Sequence, residues 1–268
     1  MTTILQLSDT HIAPKDRLVS GRVDTQAALE RLVARIKGLL PQVGPVDAML
    51  VSGDISDKGS AESYEHFREL IAPLKLPVYV IPGNHDLRDP MRQAFAADGY
   101  LPPFGNLNWH RKVGSVHLIG LDTLVEGQGG GALDAVAFEF LKTALDAAGD
   151  EPVLLALHHQ PYVSGIAFMD KIGLDGAAEL ASLLDSYQNE IRVVCGHIHS
   201  TMVSSIGSKV VISSPSPCTS FAFDLRQGAP VGFFAQEDGF LLHRWHDSFL
   251  SVRIAAEPGA GPYAFQPK

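Results

Sequence analysis

Five short polar islands constrain this chain more than any other feature, because each one directly follows an apolar run of strand character. The apolar runs cover residues 4–7, 48–51, 78–81, 153–157 and 191–195, which are ordinary lengths for buried strands. Side chains at the ends of neighbouring strands of one sheet can meet at a single point. We therefore predict one shared site, built from residues 9–11, 53–57, 83–86, 158–159 and 196–199.

Helical patterns separate these strands over the first two-thirds of the chain. Strand, loop, helix and strand in this order predict βαβ units and a mostly parallel sheet. A hairpin is predicted over residues 109–123, with its turn at residues 113–115. The predicted helices run from Thr25, with Asp24 as the N-cap, to a stop at Pro41, Gly44 and Pro45; from the residue after Ser60; and over about residues 88–98, 135–148 and 176–186.

The pattern changes after residue 199. Short β-rich runs are separated there by Gly, Asp and Pro turns, which predicts antiparallel strands that form or extend a second sheet. We expect one domain over residues 1–268. It comprises the islands within residues 9–199, a β-rich portion over residues 200–256 and an irregular tail over residues 257–268.

Charge and composition narrow the classes of function. The net charge is −9 and there is no basic run, which argues against long nucleic acids as partners. A small anion held by metal ions stays possible, since a metal site has its own local field. The two cysteines indicate neither a disulfide scaffold nor a zinc–thiolate site. No signal peptide or membrane-length apolar run is visible, so we expect a cytoplasmic protein with no membrane partner.

The islands carry the donor types of a metal site. Asp9 and His11 are two residues apart, as are His197 and His199, a spacing that lets both side chains of a pair reach one ion. Taken singly, each island could be a turn or a packed core histidine. Five such islands, each at a strand end, favour a site of oxygen and imidazole donors, which suits manganese, iron, zinc or cobalt.

Together the islands resemble the calcineurin-like metallophosphoesterase superfamily, whose pattern is D-x-H, G-D-x-x-(D/N), G-N-H-(D/E), H and G-H-x-H. Their order and spacing are similar to those of bacterial class III cyclic nucleotide phosphodiesterases and of glycerophosphodiesterases. The resemblance spans residues 9–199. It implies an α/β fold, a four-layer α/β/β/α sandwich with two mixed β-sheets. It also implies two divalent metal ions per subunit and a homo-oligomer, a dimer or larger.

The resemblance also implies a role for each motif residue. His85 would stabilise the charge of the phosphate or protonate the leaving oxygen, with Asp86 orienting its ring. The nucleophile would be a metal-bound hydroxide. One ion would be held by Asp9, His11, Asp54 and His199, and the second by Asp54, Asn84, His158 and His197, so that Asp54 bridges the two.

The implied function is hydrolysis of small phosphodiesters, either 3′,5′-cyclic nucleotides or glycerophosphodiesters. Two divalent ions, two aspartates and one hydroxide leave about one positive charge, which slightly favours a diester monoanion over a monoester dianion. The alternatives are a phosphomonoesterase with the same ligands, a nuclease, which the acidic charge disfavours, and a non-catalytic scaffold. A scaffold is disfavoured because every ligand position is filled.

Four further residues carry weaker expectations. His159 should point away from His158 and serve packing or second-sphere contacts, and His66 should lie at the surface or boundary. Asp122 follows another strand end, so it lies either near the metals or in a plain turn. Gln160 stands where the family often has proline, beside the pocket, and its effect on substrate contacts is open.

Overall fold

Two β-sheets and their flanking helices make up the computed structural model, which describes residues 1–265. The helices are α1 (Thr25–Val43), α2 (Ala61–Ile71), α3 (Arg88–Ala94), α4 (Ala135–Ala148) and α5 (Ala177–Asp185), with 3-10 turns at Ala72–Leu74, Ala96–Asp98 and Asp170–Ile172. The strands are β1 (Thr2–Leu7), β2 (Ala48–Ser52), β3 (Val78–Ile81), β4 (Trp109–Val113), β5 (Val116–Gly120), β6 (Gly131–Ala132), β7 (Val153–Ala156), β8 (Leu174–Asp175), β9 (Ile191–Cys195), β10 (Val203–Ile206), β11 (Lys209–Ser213), β12 (Thr219–Phe221), β13 (Phe233–Ala235), β14 (Gly239–Trp245) and β15 (Phe249–Ala255).

The first sheet has five strands in the order β15-β14-β1-β2-β3. Strands β1, β2 and β3 are parallel to one another, while β14 is antiparallel to both of its neighbours. Helix α1 packs its apolar stripe, including Leu29, Leu32 and Ile36, into the core of this half. The stripe recurs every three or four residues, so one face of the helix is buried while the other is solvated.

The second sheet has six strands in the order β10-β11-β9-β7-β5-β4. Its four inner strands are parallel, and the edge strands β4 and β10 are antiparallel to their neighbours. Helices α4 and α5 cover one face, where Leu145 and Leu184 join the same hydrophobic cluster as Leu155 and Val193.

Alternate residues of the second sheet separate its two faces. Leu154, Ala156 and Val194 belong to the cluster shared with the first sheet, whereas Leu155 and Val193 belong to the cluster shared with α4 and α5. Successive side chains of a strand point to opposite faces, so the two sheets pack face to face with helices outside each. The predicted four-layer sandwich with two mixed sheets is confirmed.

The predicted helices are present with small differences at their ends. Asp24 accepts a hydrogen bond from the Ala27 amide at 2.9 Å, and helix α4 has the predicted bounds. Helix α1 continues through Pro41 to Val43 and ends at Gly44, whose φ is +81°. Proline near a C-terminus disturbs only the last turn, and the helix ends where Gly44 takes a positive φ that other residues rarely adopt. Helix α3 is shorter than predicted and continues as the 3-10 turn at Ala96–Asp98.

The C-terminal strands differ from the prediction in where they pair. Only β10 and β11 extend the second sheet, and β11 runs parallel to β9. Strands β14 and β15 join the first sheet instead, where β14 pairs with β1. The expected antiparallel pairing is found in β10–β11, β12–β13 and β14–β15, but the expectation that the strands form or extend a second sheet was wrong for β14 and β15. Strand patterns specify which face is buried but not which edge a strand will join.

Two small two-stranded sheets lie outside the main pair, one of β6 with β8 and one of β12 with β13. Of the predicted irregular tail, residues 257–265 contain no helix or strand, and residues 266–268 lie outside the described part of the chain. Across residues 1–265, no helix combines the length and the apolar character needed to cross a membrane.

Candidate metal centre

The five polar islands lie just beyond the carboxyl ends of five strands that belong to both sheets. Strands β1, β2 and β3 of the first sheet precede Asp9, Asp54 and Asn84, and strands β7 and β9 of the second precede His158 and His197. The carboxyl ends of parallel strands are the usual location of ligand sites in α/β proteins. The site therefore lies at the seam between the two sheets.

One group of donors comprises Asp9, His11, Asp54 and His199, whose nearest ligand atoms all lie within 4.8 Å of one another. The Nε2 atoms of His11 and His199 are 3.2 Å apart, and Asp9 Oδ1 is 3.4 Å from His199 Nε2. Two donors each about 2.1 Å from one ion, at a tetrahedral angle, would lie about 3.4 Å apart. These spacings match that value.

A second group lies beside the first, around His158. Its Nε2 atom is 3.2 Å from Asn84 Oδ1 and 3.5 Å from Asp54 Oδ2. The His197 ring is close by, with its centroid 5.1 Å from that of His158.

Asp54 is common to both groups. Its Oδ2 atom is 3.6 Å from His11 Nε2 and 3.5 Å from His158 Nε2, so it is about equally distant from the two histidines. Its Oδ1 atom accepts a hydrogen bond from the His85 amide at 2.8 Å, which fixes the orientation of the carboxylate.

Hydrogen bonds to the outer ring nitrogens orient the histidines. His158 Nδ1 donates to the Ser52 carbonyl at 2.8 Å, and His199 Nδ1 pairs with Thr219 Oγ1 at 2.7 Å. His197 instead uses Nε2 to donate to the Ile172 carbonyl at 3.0 Å, which leaves its Nδ1 free. Such partners fix the tautomer of a ligating imidazole. Sequence reasoning missed Thr219 and Ile172, and neither residue carries a sequence signal.

The backbone of the islands is strained in a consistent way. Five of the eight non-glycine residues with positive φ in residues 1–265 are Asp9, His11, Asp54, His197 and His199, with φ between 44° and 68°. This conformation costs on the order of 1–3 kcal/mol per residue and clusters at functional sites. The chain turns sharply after β1, β2 and β9, and the turn directs these side chains toward the seam.

Burial and charge set unusual proton affinities here. Burial lowers the pKa of His11 and of His197 to about 3, so both imidazoles are neutral near pH 7. Burial also disfavours the charged form of His158, but the Asp54 and Asp9 carboxylates overcome it and raise its pKa to about 9. For Asp54, burial is outweighed by His158 and His11, and its pKa lies well below the usual range.

His85 lies at the mouth of the site, but Asp86 does not orient its ring. His85 Nδ1 donates to the Asp57 carbonyl at 2.9 Å. Asp86 is buried and accepts hydrogen bonds from the Gly83, Ile55 and Ser56 amides and from the Tyr64 hydroxyl. It thus ties the loop after β2 to the loop after β3, and the expected Asp86–His85 contact was wrong.

The pKa values of these two side chains move in the same direction for different reasons. Burial lowers the pKa of His85, but the negative charge of Asp54 and the hydrogen bond to Asp57 raise it above its usual value. Burial raises the pKa of Asp86 to about 6, and the Asp54 charge adds to that effect.

His159 makes the expected packing contacts, with Nδ1 2.8 Å from Thr123 Oγ1, but it does not point away from His158, and His66 does not lie at the surface. The His159 ring lies 4.7 Å from that of His197 and 4.9 Å from that of His158. Strand alternation no longer applies there, because β7 ends at Ala156. His66 is buried, with Nδ1 3.0 Å from the Ala13 carbonyl.

Asp122 and Gln160 both have structural partners. Asp122 is fully buried and forms a two-point ion pair with Arg88, with Nε–Oδ2 and Nη2–Oδ1 distances of 2.6 and 2.9 Å. Gln160 donates to the Met169 carbonyl at 3.1 Å and lines a cavity of about 460 Å³, whose lining contains none of the seven predicted metal ligands.

A smaller cavity of about 140 Å³ opens directly on the candidate centre. His11, His85 and His199 form its inner end, beside Asp57. Its outer wall is formed by Val19, Ser20, Thr25, Cys218, Thr219, Phe221 and Phe233.

The donor set fits divalent ions. Asp9 and Asp54 are 0% and 2% exposed, and their ion-pair partners within residues 1–265 are histidines only, with no Lys or Arg. His158 Nε2 faces the side-chain oxygen of Asn84. In a neutral imidazole that donates through Nδ1, both of these atoms are acceptors, so a proton or a cation is needed between them. Buried carboxylates and converging acceptors require positive charge, and metal ions supply it.

Comparison with known proteins agrees with this geometry. The family model described as Calcineurin-like phosphoesterase matches residues 2–201. A protein of Arcobacter nitrofigilis, named as the probable glycerophosphodiester phosphodiesterase GpdQ, is 33% identical over 265 residues, covering 98% of this chain and 96% of the relative. The 3′,5′-cyclic adenosine monophosphate phosphodiesterase CpdA of Pseudomonas aeruginosa is 34% identical over 219 residues, covering 82% of this chain and 77% of the relative.

Solved structures share the architecture at low sequence identity. A dimetal phosphatase from Danio rerio matches with a TM-score of 0.62 at 12% identity, covering 94% of this chain and 98% of that one. GAP50 of Plasmodium, the anchor in the inner membrane complex, matches with a TM-score of 0.62 at 13% identity, covering 98% of this chain and 87% of that one. These likenesses concern the fold alone.

Proposed function

The chain belongs to the calcineurin-like phosphoesterase family, and from that premise we propose that it is a dinuclear-metal-dependent phosphodiesterase acting on small phosphodiesters. One observation carries the proposal: Asp54 Oδ2 lies 3.6 Å from His11 Nε2 and 3.5 Å from His158 Nε2. A carboxylate oxygen equally close to one imidazole of each donor group suits a bridging ligand between two ions. Relatives named as phosphodiesterases, one for glycerophosphodiesters and one for cyclic AMP, support the choice of substrate class.

In this proposal the two donor groups keep the assignments expected from the motifs. Asp9, His11 and His199 hold one ion with Asp54, and Asn84, His158 and His197 hold the other with Asp54. When bound, such ions activate water and offset the charge of the phosphoryl oxygens. His197 would bind through Nδ1, since its Nε2 already donates to the Ile172 carbonyl.

His85 is the proposed proton donor to the leaving oxygen. The Asp57 carbonyl holds Nδ1, so Nε2 is free to face the substrate. The His85 ring lies 4.6 Å from the His11 ring, centroid to centroid, which places it at the edge of the first donor group. Asp86 is a positioning residue here, because it ties down the loop that carries His85.

The charges around the site favour a diester over a monoester. Two cations follow the islands: Lys58, next to Asp57, is exposed, and Arg88, three residues after His85, is paired with Asp122. Among residues 1–265, no Lys or Arg lines the cavity that opens on the centre. Two ions with their ligands leave about one positive charge, which slightly favours a diester monoanion over a monoester dianion.

A two-substrate assay tests the proposal. We expect manganese- or zinc-loaded protein to hydrolyse bis(p-nitrophenyl) phosphate with a higher kcat/KM than p-nitrophenyl phosphate. The reverse order would assign a phosphomonoesterase. A fully loaded, folded protein that is inert on both esters would indicate a non-catalytic protein.

Metal stoichiometry tests the dinuclear part separately. We expect two ions per chain by elemental analysis after dialysis, and two binding events by calorimetry on chelator-treated protein. A single ion per chain in active protein would contradict the bridging role of Asp54. The homo-oligomer and the cytoplasmic location stay predictions, and light scattering on purified protein would test the first.

A further inference from the structure

We propose that the cavity beside the metal centre is a binding site for a planar heteroaromatic substituent of the phosphodiester, such as a nucleobase, with Phe221 and Phe233 as its specificity-determining residues. The inference rests on the proposed function, because it concerns what the phosphodiester carries. It selects base-bearing diesters, such as cyclic nucleotides, over glycerol-linked ones.

The position of the cavity relates it to the reacting phosphate. His11 and His199 belong to the first donor group, and both line the inner end of the cavity together with His85. A phosphoryl group held at the donors would therefore direct one of its substituents into this space. The larger cavity, lined by Gln160, has no such contact with the donors.

Two phenylalanines form one wall. Phe221 ends β12 and Phe233 begins β13, and the two residues are directly paired in the antiparallel register. Directly opposed residues point to the same face, with Cβ atoms about 4.5–5.5 Å apart. The Phe221 ring also lies 4.5 Å from that of His199 and 5.2 Å from that of Phe168, so it is held in place.

Size and polarity suit a ring rather than a whole ligand. The cavity volume is about 140 Å³, below the roughly 300–1,000 Å³ typical of pockets that enclose a complete small molecule. Its outer wall is apolar at Val19, Cys218 and the two phenylalanines, and it also carries the hydroxyls of Ser20, Thr25 and Thr219, the last of which pairs with His199. A nucleobase offers a flat apolar face and polar edges, and it stacks on aromatic side chains.

A quaternary ammonium group, as in a choline diester, is the other ligand that aromatic walls attract. Cages for such groups surround the cation with rings. Here the two rings share one face of a hairpin, and the other apolar wall residues are Val19 and Cys218. Two rings on one face do not surround a cation, so the arrangement favours a planar group that stacks on one side.

The test compares diesters that differ only in the base. We would measure kcat/KM of the metal-loaded protein for 3′,5′-cyclic AMP and for the methyl riboside 3′,5′-cyclic phosphate, which lacks the base. We expect a preference for cyclic AMP, and we expect Phe221→Leu with Phe233→Leu to reduce that preference about ten-fold, the size of one lost base–aromatic stack. Phe233→Ala alone, at a residue 41% exposed, should reduce it in the same direction without disturbing the fold.

Matched controls come from the same hairpin. Phe223→Leu and Phe234→Leu change residues that are 68% and 58% exposed and do not line the cavity, so the preference should not change. Calorimetric binding of adenosine, which has no phosphate, gives a readout independent of hydrolysis, and we expect the double variant to weaken it about ten-fold.

The outcomes separate this inference from the proposed function. Protein that cleaves diesters with no preference for the base, or with a preference that survives the double variant, overturns the inference alone. A preference for glycerophosphocholine that the double variant removes would assign the wall to a cation instead. Metal-loaded protein that cleaves no diester contradicts the proposed function. Adenosine binding then tests by itself whether the cavity holds a base.

Discussion

The pKa values of three buried histidines in the candidate centre differ because their surroundings differ. Burial lowers the pKa of His11 and His197 to about 3, whereas His158 faces Asp54 and Asp9, which overcome the effect of burial and raise its pKa to about 9. At neutral pH and without metal, the proton on His158 supplies part of the positive charge that the buried carboxylates need. A divalent ion would take the place of that proton.

Stability of the metal-free protein should therefore depend on pH. The folded-state pKa of His158 lies above the unfolded value of 6.5, so its contribution is complete below pH 6.5 and is lost as pH rises through about 9. The difference corresponds to on the order of 3 kcal/mol. Thermal unfolding of chelator-treated protein should show Tm falling over this window, and His158→Asn should flatten the fall. His85, whose pKa is also raised, would leave a smaller slope.

The affinity for metal should also depend on pH, because the same His158 proton is involved. Binding displaces the His158 proton, so affinity should rise with pH up to about 9, with proton release measurable by calorimetry in two buffers. A pH-independent affinity, or an unchanged Tm slope in His158→Asn, would contradict the assignment of this proton.

Asp54→Asn tests the bridging carboxylate with little change of shape. The amide keeps one oxygen but removes the charge shared by the two donor groups, so we expect loss of at least one bound ion per chain. Activity on bis(p-nitrophenyl) phosphate should fall by more than about 100-fold, beyond the 10- to 100-fold typical of outer-sphere partners. Asp89→Asn, at an 83% exposed side chain, is the matched control and should retain both ions. Two bound ions per chain in Asp54→Asn would contradict the bridging role of Asp54.

At the scale of elements, the turns after the strands place the ligands, and glycine makes two of them possible. Gly53 has φ of +97°, and a Cβ atom there would lie 2.3 Å from His158 Nδ1. A Cβ atom on Gly83 would lie 2.2 Å from Asp54 Oδ1 and 2.4 Å from the Asp54 backbone nitrogen. Contacts this short are impossible, so the loops after β2 and β3 can approach only because these side chains are absent.

Gly83→Ala should thus displace Asp54 although one methyl group is all that is added. We expect loss of metal, more than ten-fold loss of activity, and destabilisation of about 1–3 kcal/mol from overpacking. Gly38→Ala is the control: Gly38 lies inside α1 with nothing near its added Cβ, and the change should stabilise by up to about 1 kcal/mol. Urea unfolding and elemental analysis compare the stability and the metal content of the two variants. Equal stability and equal metal content would contradict the predicted clash between a methyl group at position 83 and Asp54.

At the scale of the whole molecule, the metal centre depends on how the two sheets are held together. Arg88 follows the first sheet's β3, and Asp122 follows the second sheet's β5, so their ion pair joins the two halves beside the site. Asp122 also accepts hydrogen bonds from the Leu107 and Leu124 amides at 2.8 and 2.9 Å. The carboxylate is fully buried, so the guanidinium is its necessary countercharge.

Arg88→Met should leave that carboxylate buried without its cation, at a cost of about 3–5 kcal/mol in unfolding free energy. Arg31→Met removes the ion pair with Glu237, in which the arginine side chain is 58% exposed, and should cost about 1 kcal/mol or less. Denaturant unfolding measures both. Similar losses of unfolding free energy in the two variants would mean that the Arg88–Asp122 pair stabilises the fold no more than an exposed ion pair does.

The sequence by itself determined the α/β class and most helix and strand positions, and it predicted the seven candidate ligands that the structure brings together at the seam. Those features depend on local periodicity, on caps such as Asp24 and Ser60, and on polar residues at strand ends, all of which are visible within a few positions of the chain. It did not determine the pairing of β14 with β1, the separation of Asp86 from His85, or the inward turn of His159. It did not show that Phe221 and Phe233 pair as one wall of a cavity beside the centre. Only the tertiary structure decided these, because each depends on contacts between segments far apart in the chain, and alternation along a strand does not specify which neighbour it meets.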